Sequence, residues 1–157
     1  MVTNLDIGGG SANCAVFKGG NLIGGATMNF GGRILTIDHT SGRVLHIAQA
    51  ARYILQDCQL NLQTGDTPAL ADLRSFTDRM AEVTLELIEG GTSLLARQLY
   101  LTPPSQVSGA GSSLMFSGGV GHYYYHPVGI RTLADVTVHD DVGPLLAESL
   151  RDNAALS

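Results

Sequence analysis

Basic charge is what this chain has least of: 9 lysines and arginines stand against 14 acids in 157 residues, a net charge of -5. Lysine occurs once, at Lys18, and the arginines are scattered singly. Without a basic stripe there is no surface suited to tracking the phosphates of DNA or RNA, and nucleic acid is not an expected partner. Long apolar runs are missing too. None approaches the roughly 20 residues that cross a bilayer, and Met1 leads into a strand-like segment rather than the regions of a signal peptide. The expectation is a cytoplasmic protein with no membrane segment.

Cysteine is also scarce. Cys14 lies in an alternating strand pattern and Cys58 near the end of a helical one, and neither has the close second cysteine that a redox or zinc pair requires. Both read as small buried residues. Charged residues make up only 15% of the chain and hydrophobic ones 44%, a balance that suits one globular domain over residues 1–157 with a buried core.

From Val2 to Ile47 short β-branched or apolar runs alternate with glycine-rich turns: Asn4 to Ile7, Asn13 to Phe17, Leu22 to Asn29, Ile34 to Ile37 and Arg43 to Ile47. This pattern predicts an antiparallel meander. Lys18-Gly19-Gly20-Asn21 has the residues that tolerate positive φ and should close a tight hairpin. Ile47, Ala51, Ile54, Leu55 and Cys58 then fall at helical spacing. A longer helix is predicted from Pro68, with Leu70, Leu73, Phe76, Met80, Val83 and Leu87 on one face, Thr67 as its cap and Gly90-Gly91 as its stop. A Pro-Pro and Ser/Gly-rich loop between Thr102 and Ser113 precedes Leu114-Met115-Phe116, which reads as a short buried strand. A last helix is expected near Pro144. No repeat or linker interrupts this order, so the fold class is α/β with a mixed sheet and flanking helices.

The residues best suited to chemistry are Asp6-Ile7-Gly8-Gly9-Gly10-Ser11, an acid at a strand end followed by three glycines and a hydroxyl. Glycines let backbone N–H groups approach phosphate oxygens, Ser11 adds a hydroxyl donor, and Asp6 can hold magnesium through its water shell. A ligand-free glycine hairpin is the alternative at this point. A Walker loop is excluded because it needs a Lys followed by Ser or Thr whereas the only lysine, Lys18, precedes Gly19-Gly20, and a Rossmann fingerprint because it needs a third glycine where Asn13 stands and a helix afterwards. Phe116-Ser117-Gly118-Gly119-Val120-Gly121 places a second glycine pair at a strand end, where a nucleotide can lie against bare backbone. His122 and His126 are four apart, the spacing of metal ligands on a helix, but no third ligand is identifiable and Tyr123 to Tyr125 favour packing. Arg33 reads equally as a cation near a cleft or as the partner of a surface acid, and Asp140-Asp141 as caps of the last helix.

These two glycine segments, with the strands and amphipathic helix between them, resemble the C-terminal lobe of the actin, sugar kinase and heat-shock chaperone ATPase superfamily, whose lobes have a ribonuclease H-like fold. There, Asp6 to Ser11 match the second phosphate loop and Gly118-Gly119 the adenosine loop. A closer resemblance, over nearly the whole chain, is to the ethanolamine ammonia-lyase reactivating factors. It rests on Asp6-Ile7-Gly8-Gly9-Gly10, Asn29-Phe30-Gly31-Gly32-Arg33, Phe116-Ser117-Gly118-Gly119-Val120 and Asp141-Val142-Gly143-Pro144-Leu145-Leu146-Ala147. That family tends to have Thr where Ser11 stands, which keeps the hydroxyl, and an acid where this chain has His122.

The resemblance implies a chaperone-like, ATP- and magnesium-dependent factor that exchanges damaged for intact adenosylcobalamin in ethanolamine ammonia-lyase, in the cytoplasm or with a bacterial microcompartment. ATP or ADP would be held by Gly8, Gly9, Gly10, Ser11, Gly118 and Gly119, with Asp6 as the catalytic, magnesium-assisting acid. It also implies a second lobe upstream of these residues, so the chain is expected to be a fragment that is inactive alone. Two other functions compete: a small-molecule kinase lobe of the same superfamily, and a protein-interaction module whose glycine loops are only structural.

Overall fold

The computed structural model describes residues 1–157. Strands β1 (Val2–Ile7), β2 (Ala12–Lys18) and β3 (Asn21–Met28) pair antiparallel, and β6 (Ser113–Ser117) joins β1 in parallel, giving a mixed sheet of order β3-β2-β1-β6. Gly19 and Gly20 have φ of 57° and 81°, so the β2–β3 hairpin turns through the two positive-φ residues its sequence suggests. Alternation decides the two faces. Thr3, Leu5, Ile7, Ala12, Cys14, Val16, Ala26 and Met28 are buried on one side, whereas Asn4, Asp6, Asn13, Thr27 and Ser117 lie on the other, which no element of the chain covers.

The expected meander divides after β3. Strands β4 (Leu35–Ile37) and β5 (Val44–Ile47) form a separate two-stranded sheet. The cause is occupation of the β3 edge: Asn29 N–H donates to the Leu99 carbonyl at 2.7 Å and Leu101 N–H to the Thr27 carbonyl at 2.9 Å. Gly31-Gly32 meanwhile turns back toward β1, with Gly32 N–H donating to the Gly8 carbonyl at 2.9 Å.

Helix α1 spans Gln49–Asp57 and α2 spans Leu70–Glu89. Leu73, Phe76, Met80, Val83 and Leu87 of α2 are buried, as their spacing predicts, and Gly90 ends the helix in the left-handed conformation with φ 77°. Its start is later than Pro68. Val44 N–H donates to the Asp66 carbonyl at 2.8 Å, which ties the incoming chain to β5; the N-cap is Ala69, and Thr67 makes no cap. After α3 (Leu94–Leu99), β6 is an edge strand rather than a buried one: Phe116 is buried but Met115 is 52% exposed. Helices α4 (Gly118–Tyr125), α5 (Leu133–Val136) and α6 (Gly143–Asp152) complete the chain, the last starting where Pro144 suggests.

The 37 buried apolar residues form one continuous cluster. Helices α2 and α6 are locked by polar contacts as well: the Thr77 and Ser149 hydroxyls lie 2.8 Å apart, Ser149 donates to Asp78 at 2.6 Å, and Arg74 pairs with Glu148. Because α4 packs on β1, β6 and α6, the C-terminal ends of β1 and β6 are held beside the start of α6. No helix is long and apolar enough to cross a membrane.

Candidate functional site

The two glycine segments singled out in the sequence meet because β1 and β6 are parallel neighbours, with Asp6 opposite Ser117. Beyond β1, Gly8 N–H donates to the Ser11 carbonyl at 3.1 Å and closes a tight turn, while the N–H groups of Gly9, Gly10 and Ser11 have no acceptor within the fold. Beyond β6, Gly118 takes φ 79° and opens α4, whose N-cap Ser117 makes no side-chain cap bond. The first N–H groups of α4 are therefore also free. Gly118 is fixed by crowding: a Cβ there would lie 2.5 Å from the Ile7 carbonyl oxygen and 2.6 Å from Asp6 Oδ1.

Two more glycine turns join them. Gly31-Gly32 packs on Gly8-Gly9 through Gly32 N–H to Gly8 O and Arg33 N–H to Gly9 O at 2.8 Å, and Val142 N–H donates to the Gly32 carbonyl at 2.9 Å. A Cβ on Gly32 would lie 2.9 Å from the Gly143 Cα. The four turns enclose an open cavity of about 350 Å³, of a size that suits a small-molecule ligand. A larger hollow of about 680 Å³ lies along β3 against residues 102–107, but Cys14 is its one titratable side chain, so it offers little chemistry.

Among the residues expected to bind, Gly8, Gly9 and Gly119 line the cavity. Gly118 lies behind it against Asp6, whose exposed carboxylate accepts no hydrogen bond and pairs with no cation. Gly10 and Ser11 sit on the outer side of the turn and do not line the cavity. Sequence reasoning missed His139, Tyr123 and Gly143 in the wall. A lone histidine or tyrosine carries no spacing signal, although Gly143 stood inside a segment that already looked family-like.

Arg33 lines the cavity, and its Nη2 lies 3.5 Å from Oδ2 of Asp141, an acid that is largely buried and not at the surface. The N-cap of α6 is Val142, with no side-chain cap, but Asp141 Oδ1 accepts from Gly143 N–H at 2.9 Å, so this acid steadies the start of α6 from one position earlier. Asp140 does not. It adopts the left-handed region with φ 58°, its Oδ1 accepts from His39 N–H at 2.8 Å and its carbonyl from Ile37 N–H at 2.9 Å. Pinned in this way, Asp140 presents both His139 and Asp141 to the cavity.

Burial pushes the Asp141 carboxyl above the usual carboxylate range, opposed by the Gly143 N–H, Arg33 and His139. Burial, and then the nearby Asp141, also raise the Tyr123 phenol. His122 and His126 are both exposed and stack on each other with ring centroids 4.8 Å apart, His122 also lining the cavity, and no group of three or more His, Cys, Asp or Glu side chains is placed to hold a metal ion. The free Gly9 N–H, the N-terminus of α4 and one guanidinium in this wall, with the free N–H groups of Gly10 and Ser11 on the outer side of the same turn, suit a small anion with oxygen acceptors.

The family model described as "Ethanolamine utilisation protein EutA" matches residues 1–157. The chain is 37% identical over 155 residues to the ethanolamine ammonia-lyase reactivase EutA of Escherichia coli (strain K12), covering 99% of this chain and 32% of that relative. It is 35% identical over 155 residues to the protein of the same name from Salmonella typhimurium (strain LT2), with the same coverage of 99% and 32%. The chain thus spans about a third of the length of the curated relatives it matches. No solved structure matches it.

Proposed function

The chain belongs to the ethanolamine utilisation protein EutA family, and from that premise we propose that it is the nucleotide-holding C-terminal lobe of a reactivating factor for ethanolamine ammonia-lyase. The lobe is read as actin-like and ribonuclease H-like, spanning residues 1–157 as one domain of a longer protein. One observation carries the nucleotide part of this reading: the Asp6–Ser117 register brings two glycine turns together, with the N–H donors of Gly9, Gly10 and Ser11 unpaired.

The cavity fits the expected ligand in three respects. Gly9 puts a free backbone donor at the cavity, with those of Gly10 and Ser11 on the outer side of the same turn, Gly119 lines the wall with bare backbone, and the Asp6 carboxylate, behind the wall at Gly118, is uncommitted. In this reading Gly8, Gly9, Gly10 and Ser11 hold the phosphates of ATP or ADP, and Gly118 and Gly119 lie against the adenosine. Asp6 orients the water shell of magnesium, which when bound neutralises phosphate charge. The rest of the protein supplies a facing lobe, as transition-state donors are needed around the whole phosphate group. The conformational work of ATP turnover then serves the exchange of damaged for intact adenosylcobalamin, in the bacterial cytoplasm at a microcompartment.

The test is calorimetric titration of the full-length protein with magnesium ATP, beside an assay restoring activity to inactivated ethanolamine ammonia-lyase. Saturable ATP binding with ATP-dependent reactivation is the expected result. Phosphate transfer to a sugar or acetate instead would establish a kinase, and a failure to bind nucleotide would leave an interaction module.

A further inference from the structure

Arg33 is placed at the cavity by its backbone. Its N–H donates to the Gly9 carbonyl at 2.8 Å, and its Cβ would lie 3.3 Å from a Cβ added to Gly9, so the side chain begins beside the free donors of the glycine turn. It is the one arginine of the cavity wall. Three other arginines make two hydrogen bonds each: Arg74 with Glu148 and the Ile130 carbonyl, Arg79 with Asp57 and Glu82, and Arg151 with the Tyr123 and Tyr124 carbonyls. Arg33 by contrast makes one long contact, 3.5 Å to Asp141 Oδ2, with its side chain 63% exposed. The Asp141 side chain is 13% exposed and anchored through Oδ1 to Gly143 N–H.

The two partners are therefore unequal, one fixed and one free to move. We propose that Arg33 is the phosphate contact of this cavity and that Asp141 holds its guanidinium until an anion takes it, the two acids competing for one cation. The inference rests on the nucleotide reading and adds to it the residue that recognises the charge. A diphosphate or triphosphate carries several charges against the single one of Asp141 and can accept two parallel N–H donors, which the 3.5 Å contact does not provide. When Arg33 moves across, Asp141 keeps its bond from Gly143 N–H, so the start of α6 need not shift.

The experiment titrates the full-length protein with ADP, inorganic tripolyphosphate and adenosine, as wild type, Arg33→Gln, Arg33→Lys and Asp141→Asn, each checked for folding by a thermal melt. Arg33→Gln should weaken ADP and tripolyphosphate about tenfold or more, the value of one or two charge-assisted hydrogen bonds, and leave adenosine unchanged. Arg33→Lys should recover part of that loss. Asp141→Asn, which keeps an oxygen for Gly143 N–H, should tighten both phosphate ligands. ADP bound as tightly by Arg33→Gln as by wild type would overturn the assignment and leave the nucleotide reading standing. Tripolyphosphate binding that needs Arg33, without any response to ADP or adenosine, would support the clamp and remove the nucleotide reading. Binding of none of the three by wild type would overturn both, and unchanged or weaker phosphate binding in Asp141→Asn would overturn the holding role.

Discussion

Gly31 lies so close to Gly8 that a methyl group on it would sit 2.4 Å from the Gly8 carbonyl oxygen and 2.6 Å from the Gly9 carbonyl carbon. Both are backbone atoms, so neither can swing aside. Gly31→Ala should therefore cost about 1–3 kcal/mol of stability, the usual penalty of overpacking, and lower any affinity of the cavity along with it. Gly10→Ala meets nothing within 4 Å and should stay within about 0.5 kcal/mol of wild type. Urea unfolding of the two variants would check the contrast, and equal midpoints would contradict it.

Asp6 is free of partners, and its carboxylate touches the space that Gly118 leaves open. Asp6→Asn in the full-length protein should lower magnesium-dependent ATP hydrolysis roughly 10–100-fold, the range for a group acting through a metal's outer shell, while nucleotide affinity changes less. A phosphate-release assay beside a binding titration separates the two. Unchanged turnover would remove Asp6 from the mechanism.

Burial raises the Cys14 thiol to about 11 and shifts Cys58 upward as well, with Asp57 adding to the shift at Cys58. A raised thiol holds less of the reactive thiolate at neutral pH. Cys14, buried in β2, should resist a thiol reagent at pH 8 until the protein unfolds, whereas the half-buried Cys58 should react slowly in the native state. Mass spectrometry after timed alkylation gives the order directly.

The raised carboxyl of Asp141 makes a signed pH prediction. The native state holds that proton more tightly than the unfolded chain, so its contribution is full below the ordinary carboxylate value and is lost as pH rises through the native one. Asp141→Asn should then gain on wild type as pH increases from about 3.8 upward. Melting curves of both proteins across that window test it. A gain by wild type instead would mean that the Arg33 pair outweighs burial.

Local structure was legible where one residue type has one physical use. Gly19-Gly20 announced the hairpin, and Gly90 with the spacing of Leu73, Phe76 and Met80 announced α2. Partner choice was not. Nothing in the alternation of Leu35 to Ile37 says that Leu99 and Leu101 already occupy the β3 edge, nor that Asp66 is tied to Val44 and delays the next helix. Helix α3 is six residues long, too short to show a period, and is marked only by the Ser93 side chain accepting from Ala96 N–H. The site divides the same way. Gly8, Gly9 and Gly119 could be found because strand-glycine-glycine is a local pattern, whereas His139 and Tyr123 reach the cavity through tertiary packing alone.

The hydrogen bonds from Gly32 to Gly8 and from Val142 to Gly32 string the cavity wall across almost the whole chain. A surface assembled from such distant segments has no local nucleus and completes only when the last of them docks. Opening it in the native state means breaking contacts that also hold the fold, so these amides should exchange with solvent only as the molecule unfolds globally. Affinity and folding are then a single cooperative property, and a ligand taken up between these turns would act as a fastener for the entire polypeptide.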